Sequence, residues 1–240
     1  MNGKNICLIT GANSEIGIAL AERFKNEYQL VLCWHQNCSR LKKHFYENNV
    51  DFMQADLQYE DSCKTVIDFC MKKYKKIDLM INCIGKNTSC SDDQISERDW
   101  DEVINSNLRS VFMLCKYFKK NMETFYFDRS DYCGCIINIS STAGIRALPS
   151  SPHYIAAKAG VIAISEYYSK VLAPYVRVNT IAPGFANTDK HCNKRYESIK
   201  AKIPMKRFAE LNEIADTAHF LVGNKYITGQ TIIIDGGLIS

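Results

Sequence analysis

Tyr154 and Lys158 are the residues whose types and spacing point most directly to chemistry. They lie four positions apart, so on a helix they share one face. A phenol is a poor acid or base near neutral pH, because its unperturbed pKa is about 10. A neighbouring ammonium stabilises the phenolate and makes proton exchange with an alcohol or ketone easier. Ser141, thirteen residues before Tyr154, could hold the oxygen of such a substrate by a hydrogen bond. Taken alone, Tyr-x-x-x-Lys is also common on solvated helices.

A second candidate site is the turn TGANSEIG at residues 10–17, with glycines at Gly11 and Gly17. Glycines between a strand and a helix let the backbone approach a pyrophosphate closely. The helix that follows offers free N–H groups and the positive end of its dipole. Two glycines at a turn are common, so the turn is weak evidence by itself. Its place after the first strand and before the first helix is the context that a phosphate-binding loop requires.

Short apolar runs alternate with longer amphipathic segments along the chain. The pattern predicts strands at residues 5–10, 29–34, 50–54, 77–83, 135–140, 176–181 and 231–234, and helices at 16–25, 61–74, 100–120, 154–172 and 212–221. Strands that are apolar on both faces and separated by helices indicate a parallel sheet covered on both sides. We therefore predict an α/β fold, a Rossmann-type doubly wound sheet of about seven parallel strands with helices on both faces. Residues 121–132 are predicted to be a surface loop.

Composition and charge exclude several classes of protein. The chain has 30 Lys and Arg against 26 Asp and Glu, a net charge of +4 that is too even for a nucleic-acid-binding protein. No apolar stretch is long enough to span a membrane. The 11 cysteines are odd in number and scattered, and most lie in apolar runs as small hydrophobic residues. Cys133 and Cys135 have no second pair at ligand spacing, so we predict no metal site. Without a disulfide pattern or a secretory leader, we expect a cytoplasmic protein.

Together these features resemble the short-chain dehydrogenase/reductase family over essentially all 240 residues, as one NAD(P)-binding domain at 1–240. Within the family the chain most resembles the 3-oxoacyl-[acyl-carrier-protein] reductases, on residues 227–230, 235–237 and the helix at 212–221. The joint match is far more specific than any one motif. The motifs, in the family's order and at about its spacing, are Thr10-Gly11 with Gly17, Asp56, Asn82 with Gly85, Asn107, Ser141, Tyr154-x-x-x-Lys158, Pro183-Gly184 and Asp235-Gly236-Gly237.

The resemblance implies a role for each catalytic residue. Tyr154 would be the general acid/base, and Lys158 would lower its pKa and bind the nicotinamide ribose. Ser141 would orient the substrate carbonyl. Asn107 would kink its helix and hold a water that links Lys158 to solvent. Besides Tyr154 and Lys158, the predicted dinucleotide contacts are Gly11, Asn13, Ser14, Ile16, Gly17, Trp34, His35, Asp56, Leu57, Asn82, Gly85, Pro183, Gly184, Ala186 and Thr188.

The chain departs from the family pattern at the phosphate loop and after the fourth strand. Glu15 replaces the usual middle glycine, and its side chain must lean away from the pyrophosphate because like charges repel. The dipole at the start of the helix would partly offset this carboxylate. Cys83 and Ile84 replace an asparagine and an alanine, which predicts a repacked turn.

Cofactor choice is read at the end of the second strand. A carboxylate there would bind the ribose hydroxyls of NAD, whereas a basic residue would accept the phosphate of NADP. Residues 34–37 are Trp-His-Gln-Asn, with no carboxylate, and Arg40 follows shortly. His35 and Arg40 could meet a phosphate, and Trp34 could pack near adenine. A surface turn residue is the alternative interpretation of His35. The sequence therefore favours NADP(H) over NAD(H).

The resulting prediction is an NADP(H)-dependent oxidoreductase that reduces a ketone, of the 3-oxoacyl thioester kind, to a secondary alcohol. The alternatives are a ketoreductase or alcohol dehydrogenase of a secondary-metabolite pathway, and an idle dinucleotide-binding scaffold that only Glu15 favours. The expected partners are a small carbonyl or acyl-thioester substrate and copies of the same chain in a tetramer or dimer, with no nucleic acid and no membrane. The basic segment 189–207 is predicted to be a mobile substrate lid that attracts anionic substrates.

Overall fold

A seven-stranded parallel sheet forms the centre of the computed structural model, which describes residues 4–45, 50–87, 92–125, 133–147, 150–189 and 194–239. The strands are β1 (Asn5–Thr10), β2 (Tyr28–Trp34), β3 (Val50–Gln54), β4 (Leu79–Asn82), β5 (Gly134–Ile139), β6 (Val176–Pro183) and β7 (Thr231–Ile234). Their order is β3-β2-β1-β4-β5-β6-β7, and every neighbouring pair is parallel. The predicted doubly wound parallel sheet is confirmed.

Helices cover both faces of this sheet. They are α1 (Glu15–Phe24), α2 (Ser39–Phe45), α3 (Glu60–Tyr74), α4 (Glu97–Ile104), α5 (Ser110–Phe125), α6 (Pro152–Val171), α7 (Lys194–Lys202) and α8 (Leu211–Gly223). Side chains of α1, α2 and α8 belong to one apolar core, and those of α3, α5 and α6 belong to the other. Alternate residues of a strand point to opposite faces, so Leu8 enters one core and Ile9 the other. This explains why the strands are apolar at nearly every position.

Three segments differ from the sequence-based prediction. Helix α2 has only two buried residues, Leu41 and Phe45, which is too few for a periodic pattern to reveal it. The single helix predicted at 100–120 is two α-helices joined by a π-helical turn at Asn105–Arg109. Helix α5 continues to Phe125, into the predicted surface loop, and residues 126–132 lie outside the described residues.

A chain of buried polar side chains ties the catalytic helix to the sheet. Thr10 Oγ1 donates to Asn82 Oδ1 at 3.2 Å, and Asn82 Nδ2 donates to Asn138 Oδ1 at 2.8 Å. Asn138 Nδ2 in turn donates to Ser165 Oγ on α6, also at 2.8 Å. All four residues are buried. Buried polar groups stabilise only when they are paired, so this network fixes β1, β4, β5 and α6 relative to one another.

Replacing Asn138 by alanine is expected to lower the free energy of unfolding by roughly 2–3 kcal/mol, because it leaves the buried Nδ2 of Asn82 without its acceptor. Urea denaturation should show a lower midpoint with an unchanged m value. Asn5→Ala is the matched control, since Asn5 is exposed and accepts a hydrogen bond from Lys76 at the surface. We expect the control to change stability by less than about 0.5 kcal/mol. Equal losses in the two variants would show that the network contributes nothing special.

Candidate active site

A cleft opens at the carboxyl ends of β1, β2, β3 and β4. Strand β1 lies between β2 and β4, so successive crossovers leave it in opposite directions. Ligands of open α/β sheets bind at such a switch point. The predicted dinucleotide contacts that line the cleft are Gly11, Asn13, Ser14, Trp34, His35, Asp56, Leu57 and Gly85. The sequence analysis did not include Lys86 and Glu102, which line the cleft and form an ion pair. Lys86 directly follows Gly85, a predicted dinucleotide contact, and this position in the sequence could have indicated that it lines the cleft.

The turn after β1 needs glycine at two positions. Gly11 has a φ of +66°, and a Cβ there would lie 2.5 Å from the carbonyl oxygen of Cys83. A Cβ at Gly17 would lie 2.5 Å from the carbonyl oxygen of Gly11. Ser14 caps α1, because its Oγ accepts a hydrogen bond from the N–H of Gly17 at 3.0 Å. The turn therefore presents backbone, and the positive end of α1, to the cleft.

Glu15 does not line the cleft among the described residues. Its Oε1 lies 3.6 Å from Arg40 Nη1 on α2 and accepts a hydrogen bond from the N–H of Asp189 at 3.2 Å. The carboxylate is thus engaged by the two segments that flank the start of α1.

The end of β2 combines a buried ring with an exposed imidazole. Trp34 is 8% exposed and packs edge-to-face on Phe52, with ring centres 6.0 Å apart, so it belongs mainly to the core. His35 Nε2 lies 3.4 Å from Asp56 Oδ2. Asp56 also accepts a hydrogen bond from the N–H of Gln58, which makes it a turn residue as well as a cleft residue.

Several predicted dinucleotide contacts lie outside the residues that line this cleft. Asn82 is one: its side chain is fully buried between Thr10 and Asn138 and links β1 to β5, and its contact with a dinucleotide stays a prediction. Ile16 packs against the core. Gly17 lies in the turn before α1. The remaining contacts lie at and after the end of β6, where Pro183 is the last strand residue and the N–H of Gly184 donates to Ile234 O at 2.8 Å. Ala186 forms a β-bridge with Ala209, and Thr188 is half-buried.

The four predicted catalytic residues come from three neighbouring elements. Ser141 follows β5, and its hydroxyl is hydrogen-bonded to that of Tyr154 on α6. Lys158 Nζ lies 5.8 Å from the centre of the Tyr154 ring and donates to Ile139 O at 2.9 Å. Asn107 Nδ2 donates to Lys86 O at 2.7 Å. A Cβ at position 85 would lie 3.4 Å from Asn107 Oδ1 and 3.5 Å from Lys158 Nζ, so Gly85 leaves open space between these two side chains.

Asn107 lies inside the π-helical turn at Asn105–Arg109. Its Nδ2 also donates to Val103 O at 2.9 Å, which gives the carbonyl a side-chain partner where the helical spacing changes. π-Helical turns are rare and often lie at functional sites. The local distortion turns an interior asparagine toward Lys86 and the cleft.

Known proteins resemble this chain along its whole length. A family model described as Enoyl-(Acyl carrier protein) reductase matches residues 11–239. The 3-oxoacyl-[acyl-carrier-protein] reductase FabG of Thermotoga maritima is 35% identical over 100% of this chain and 99% of its own. FabG of Chlamydia trachomatis is 34% identical over 96% of each chain. A solved structure described as ElxO with NADP bound superposes with a TM-score of 0.89 at 28% identity, covering 99% of both chains.

The chain belongs to the short-chain dehydrogenase/reductase family. It is an oxidoreductase that acts on CH–OH and C=O groups, and the family binds a nicotinamide dinucleotide. The residues present fit such a dinucleotide. Gly11 and Gly17 keep side chains out of the turn, the start of α1 offers N–H groups, and Lys158 brings a buried ammonium beside Tyr154.

Burial dominates the protonation of the two central residues. It lowers the pKa of Lys158 to about 8, with a partial opposing effect from Cys83. It raises the pKa of Tyr154, although the hydrogen bond from Ser141 opposes the change. That Lys158 lowers the pKa of Tyr154 stays a prediction; its ammonium donates to the carbonyls of Ile139 and Ile84. Tyr154 is a protonated phenol at neutral pH, as a proton donor to a carbonyl must be.

Cys83, which replaces an asparagine of the family pattern, is buried next to the phosphate loop. Its Sγ lies 3.7 Å from Ser14 Oγ, and it lines the cleft beside Gly85. Burial raises the pKa of its thiol, and Ser14 and Lys158 partly oppose the rise. The thiol is therefore neutral, so it adds no charge near the phosphate loop.

Helix α7 occupies the centre of the predicted lid at 189–207, and residues 190–193 lie outside the described residues. The rings of Tyr196 and Phe185 have centres 6.2 Å apart, and Phe208 packs against both. Arg207 pairs with Glu213 at 2.7 Å, so part of the segment's positive charge is already neutralised.

The described residues hold no group of three His, Cys, Asp or Glu side chains placed to bind a metal ion. Within the same ranges, none of the helices has the length and apolar character needed to cross a bilayer.

Proposed function

We propose that this short-chain dehydrogenase/reductase is an NADP(H)-dependent ketone reductase with 3-oxoacyl thioesters as its substrate class. The observation that carries the proposal is the protonated Tyr154 hydroxyl, hydrogen-bonded to Ser141 and next to the buried ammonium of Lys158. A carbonyl needs a proton on oxygen when its carbon is reduced, and this pair of hydroxyls supplies two donors for one oxygen.

The side chains divide the reaction between them. Ser141 and Tyr154 hold the substrate oxygen, and Tyr154 gives it a proton as negative charge develops there. When bound, a reduced nicotinamide supplies the hydride that goes to the carbonyl carbon. Lys158 stabilises the phenolate left on Tyr154 and would bind the ribose of the dinucleotide. Asn107 and Lys86 O border the open space next to Lys158, where a water can return the proton from solvent.

Two observations support NADP(H) over NAD(H). The residues that end β2 and open α2 include His35 and Arg40 and carry no carboxylate. The structural relative ElxO is described with NADP bound. The carboxylate of Asp56, which lies 3.4 Å from His35 Nε2, follows β3 and does not supply the carboxylate that an NAD site carries at the end of β2.

The substrate class rests on the two FabG relatives, which are named as reductases of 3-oxoacyl-[acyl-carrier-protein], a thioester. The description of the family model favours a second candidate, reduction of an enoyl thioester at its C=C bond. We favour the ketone because the two hydroxyls of Ser141 and Tyr154 suit a reaction whose proton ends on oxygen, whereas reduction of a C=C bond ends with a proton on carbon. The 3-oxoacyl thioester is therefore the better substrate for this site.

The test is oxidation of NADPH and of NADH by the purified protein, with acetoacetyl and crotonyl thioesters as substrates. We expect the acetoacetyl thioester to be reduced with NADPH at a kcat/KM at least about ten-fold above that with NADH, a difference of about 1.4 kcal/mol. We expect no turnover of the crotonyl thioester. Faster crotonyl reduction would favour the enoyl alternative. Dinucleotide binding without turnover of either substrate would favour the idle scaffold.

We also propose that the protein is a homotetramer or dimer. Phe112 on α5 and Tyr167 and Val171 on α6 are exposed apolar side chains on neighbouring helices, and Ile233 is exposed on the edge strand β7. Exposed apolar side chains on a pair of neighbouring helices and on an edge strand favour association. Light scattering on the purified protein measures its mass, and a monomer would contradict the proposal.

A further inference from the structure

Glu15, Arg40 and Asp189 form a closed ring of charged groups, here called the clasp. Arg40 Nη1 lies 3.6 Å from Glu15 Oε1, and Arg40 Nη2 donates to Asp189 Oδ2 at 2.9 Å. The N–H of Asp189 completes the ring by donating to the same Glu15 oxygen at 3.2 Å. One guanidinium thus bridges two carboxylates from distant parts of the chain.

The clasp joins three segments that border the dinucleotide cleft. Glu15 opens α1 directly after the phosphate loop, Arg40 lies at the start of α2, and Asp189 follows the run from Pro183 to Thr188. The loop between β2 and α2 is held by hydrogen bonds. Asn13 Nδ2 donates to Gln36 O at 2.8 Å, and the N–H of Ser39 donates to Asn37 Oδ1 at 3.1 Å. These bonds position the start of α2, and with it Arg40, next to the end of β2, where the 2′ position of the adenosine ribose is recognised.

Guanidinium groups bind carboxylates and phosphates with the same forked geometry. Asp189 therefore occupies a donor of Arg40 that a phosphate would use, and Glu15 forms an ion pair with the same guanidinium. The exposed fractions of the side chains are 49% for Arg40, 77% for Asp189 and 21% for Glu15. Ion pairs as exposed as these contribute little stability, so a dianionic phosphate can displace the carboxylates.

We propose that Glu15 and Asp189 are specificity-determining residues, which lower the affinity for a 2′-phosphate by occupying Arg40. This role rests on the proposed use of NADP(H), because the two carboxylates would set the affinity for its 2′-phosphate. It gives Glu15 a role other than general repulsion: the carboxylate acts through Arg40, and its effect should be confined to ligands that carry a 2′-phosphate.

The experiment compares two fragments that differ only in that group, adenosine 2′,5′-bisphosphate and adenosine 5′-monophosphate, by isothermal titration calorimetry. The variants are Glu15→Gln, Asp189→Asn, Arg40→Met and the double variant Glu15→Gln/Arg40→Met. Glu22→Gln is the matched control, because Glu22 also lies on α1 and pairs with Lys25 and His44 instead of Arg40. The binding readout does not depend on a substrate or on turnover.

We expect Glu15→Gln to bind the bisphosphate about five-fold more tightly than the wild type, which corresponds to about 1 kcal/mol. Its affinity for the monophosphate should change by less than about 1.5-fold. Asp189→Asn should change the bisphosphate affinity in the same direction. Arg40→Met should weaken bisphosphate binding by about ten-fold and abolish the gain from Glu15→Gln in the double variant. The control should bind both fragments as the wild type does.

Two results would overturn the clasp. Glu15→Gln could tighten both fragments equally, which would make Glu15 a general repulsive charge. The double variant could keep the gain of Glu15→Gln, which would exclude Arg40 as the mediator. Failure of the NADP(H) proposal looks different: the wild type would bind the two fragments equally, while a gain confined to the bisphosphate in Glu15→Gln would still support the clasp.

Discussion

Replacing Tyr154 by phenylalanine is expected to lower kcat for ketone reduction by about 1,000-fold. The variant loses only the hydroxyl oxygen, which is the proton donor of the proposed mechanism. The aromatic ring remains in place, half-buried on α6 and next to Lys158. The dinucleotide affinity should therefore stay within about two-fold of the wild type. Steady-state kinetics with NADPH and an acetoacetyl thioester measures the first quantity, and fluorescence titration of NADPH measures the second.

Tyr226→Phe is the matched control for this variant. Tyr226 is fully exposed, so the same chemical change there should leave kcat unaltered. A Tyr154→Phe enzyme that retained more than about a tenth of wild-type kcat would contradict the proton-donor role, since general acid catalysis contributes at least about 100-fold. Loss of NADPH binding in the same variant would instead assign Tyr154 to the binding of the dinucleotide.

Replacing Lys158 by alanine is expected to lower kcat by about 100-fold and to weaken dinucleotide binding by about ten-fold. The ammonium is 3% exposed and lies beside the Tyr154 ring, so its charge acts on the developing phenolate with little screening. Its role at the ribose would be lost in the same change. Kinetics and titration with NADPH check the two effects separately, and unchanged NADPH affinity would contradict the ribose role.

A second variant, Lys158→Met, separates charge from packing because it keeps the length of the side chain. Burial holds the pKa of Lys158 at about 8, so wild-type kcat/KM should fall above about pH 8 as the ammonium is lost. Lys158→Met should lack this decline. An identical pH profile in the two proteins would show that another group titrates in this range.

The same residue predicts how stability depends on pH. The pKa of Lys158 is about 8 in the folded protein, lower than the ordinary lysine value of 10.5 that applies when the chain is unfolded. Between these values the unfolded state binds more protons, so the contribution of Lys158 to the free energy of unfolding rises with pH. Relative to Lys158→Met, the wild type should gain up to roughly 3 kcal/mol between pH 8 and pH 10.5. Urea denaturation at several pH values measures this gain. A difference in unfolding free energy between the two proteins that did not change with pH would contradict the lowered pKa of Lys158.

The α/β sheet, its parallel strands and the shared face of Tyr154 and Lys158 can be predicted from the sequence alone. These features depend on local spacing: strands are apolar at successive positions because helices cover both faces, and residues four apart on a helix are neighbours. The glycines of the phosphate loop could also be predicted, because the turn itself requires a positive φ at Gly11 and a close backbone approach at Gly17.

Features that depend on burial or on contacts between distant parts of the chain could be found only in the tertiary structure. Desolvation raises the pKa of Tyr154. The ammonium of Lys158, although close by, donates to backbone carbonyls and not to the tyrosine. Asn82 follows the fourth-strand pattern of a ligand contact, yet the neighbouring strands enclose it completely. Arg40 meets Asp189 across 149 residues. Local spacing carries no information about such a pairing, because only the folding of β2, α2 and the run after β6 onto one edge of the sheet brings the charges together.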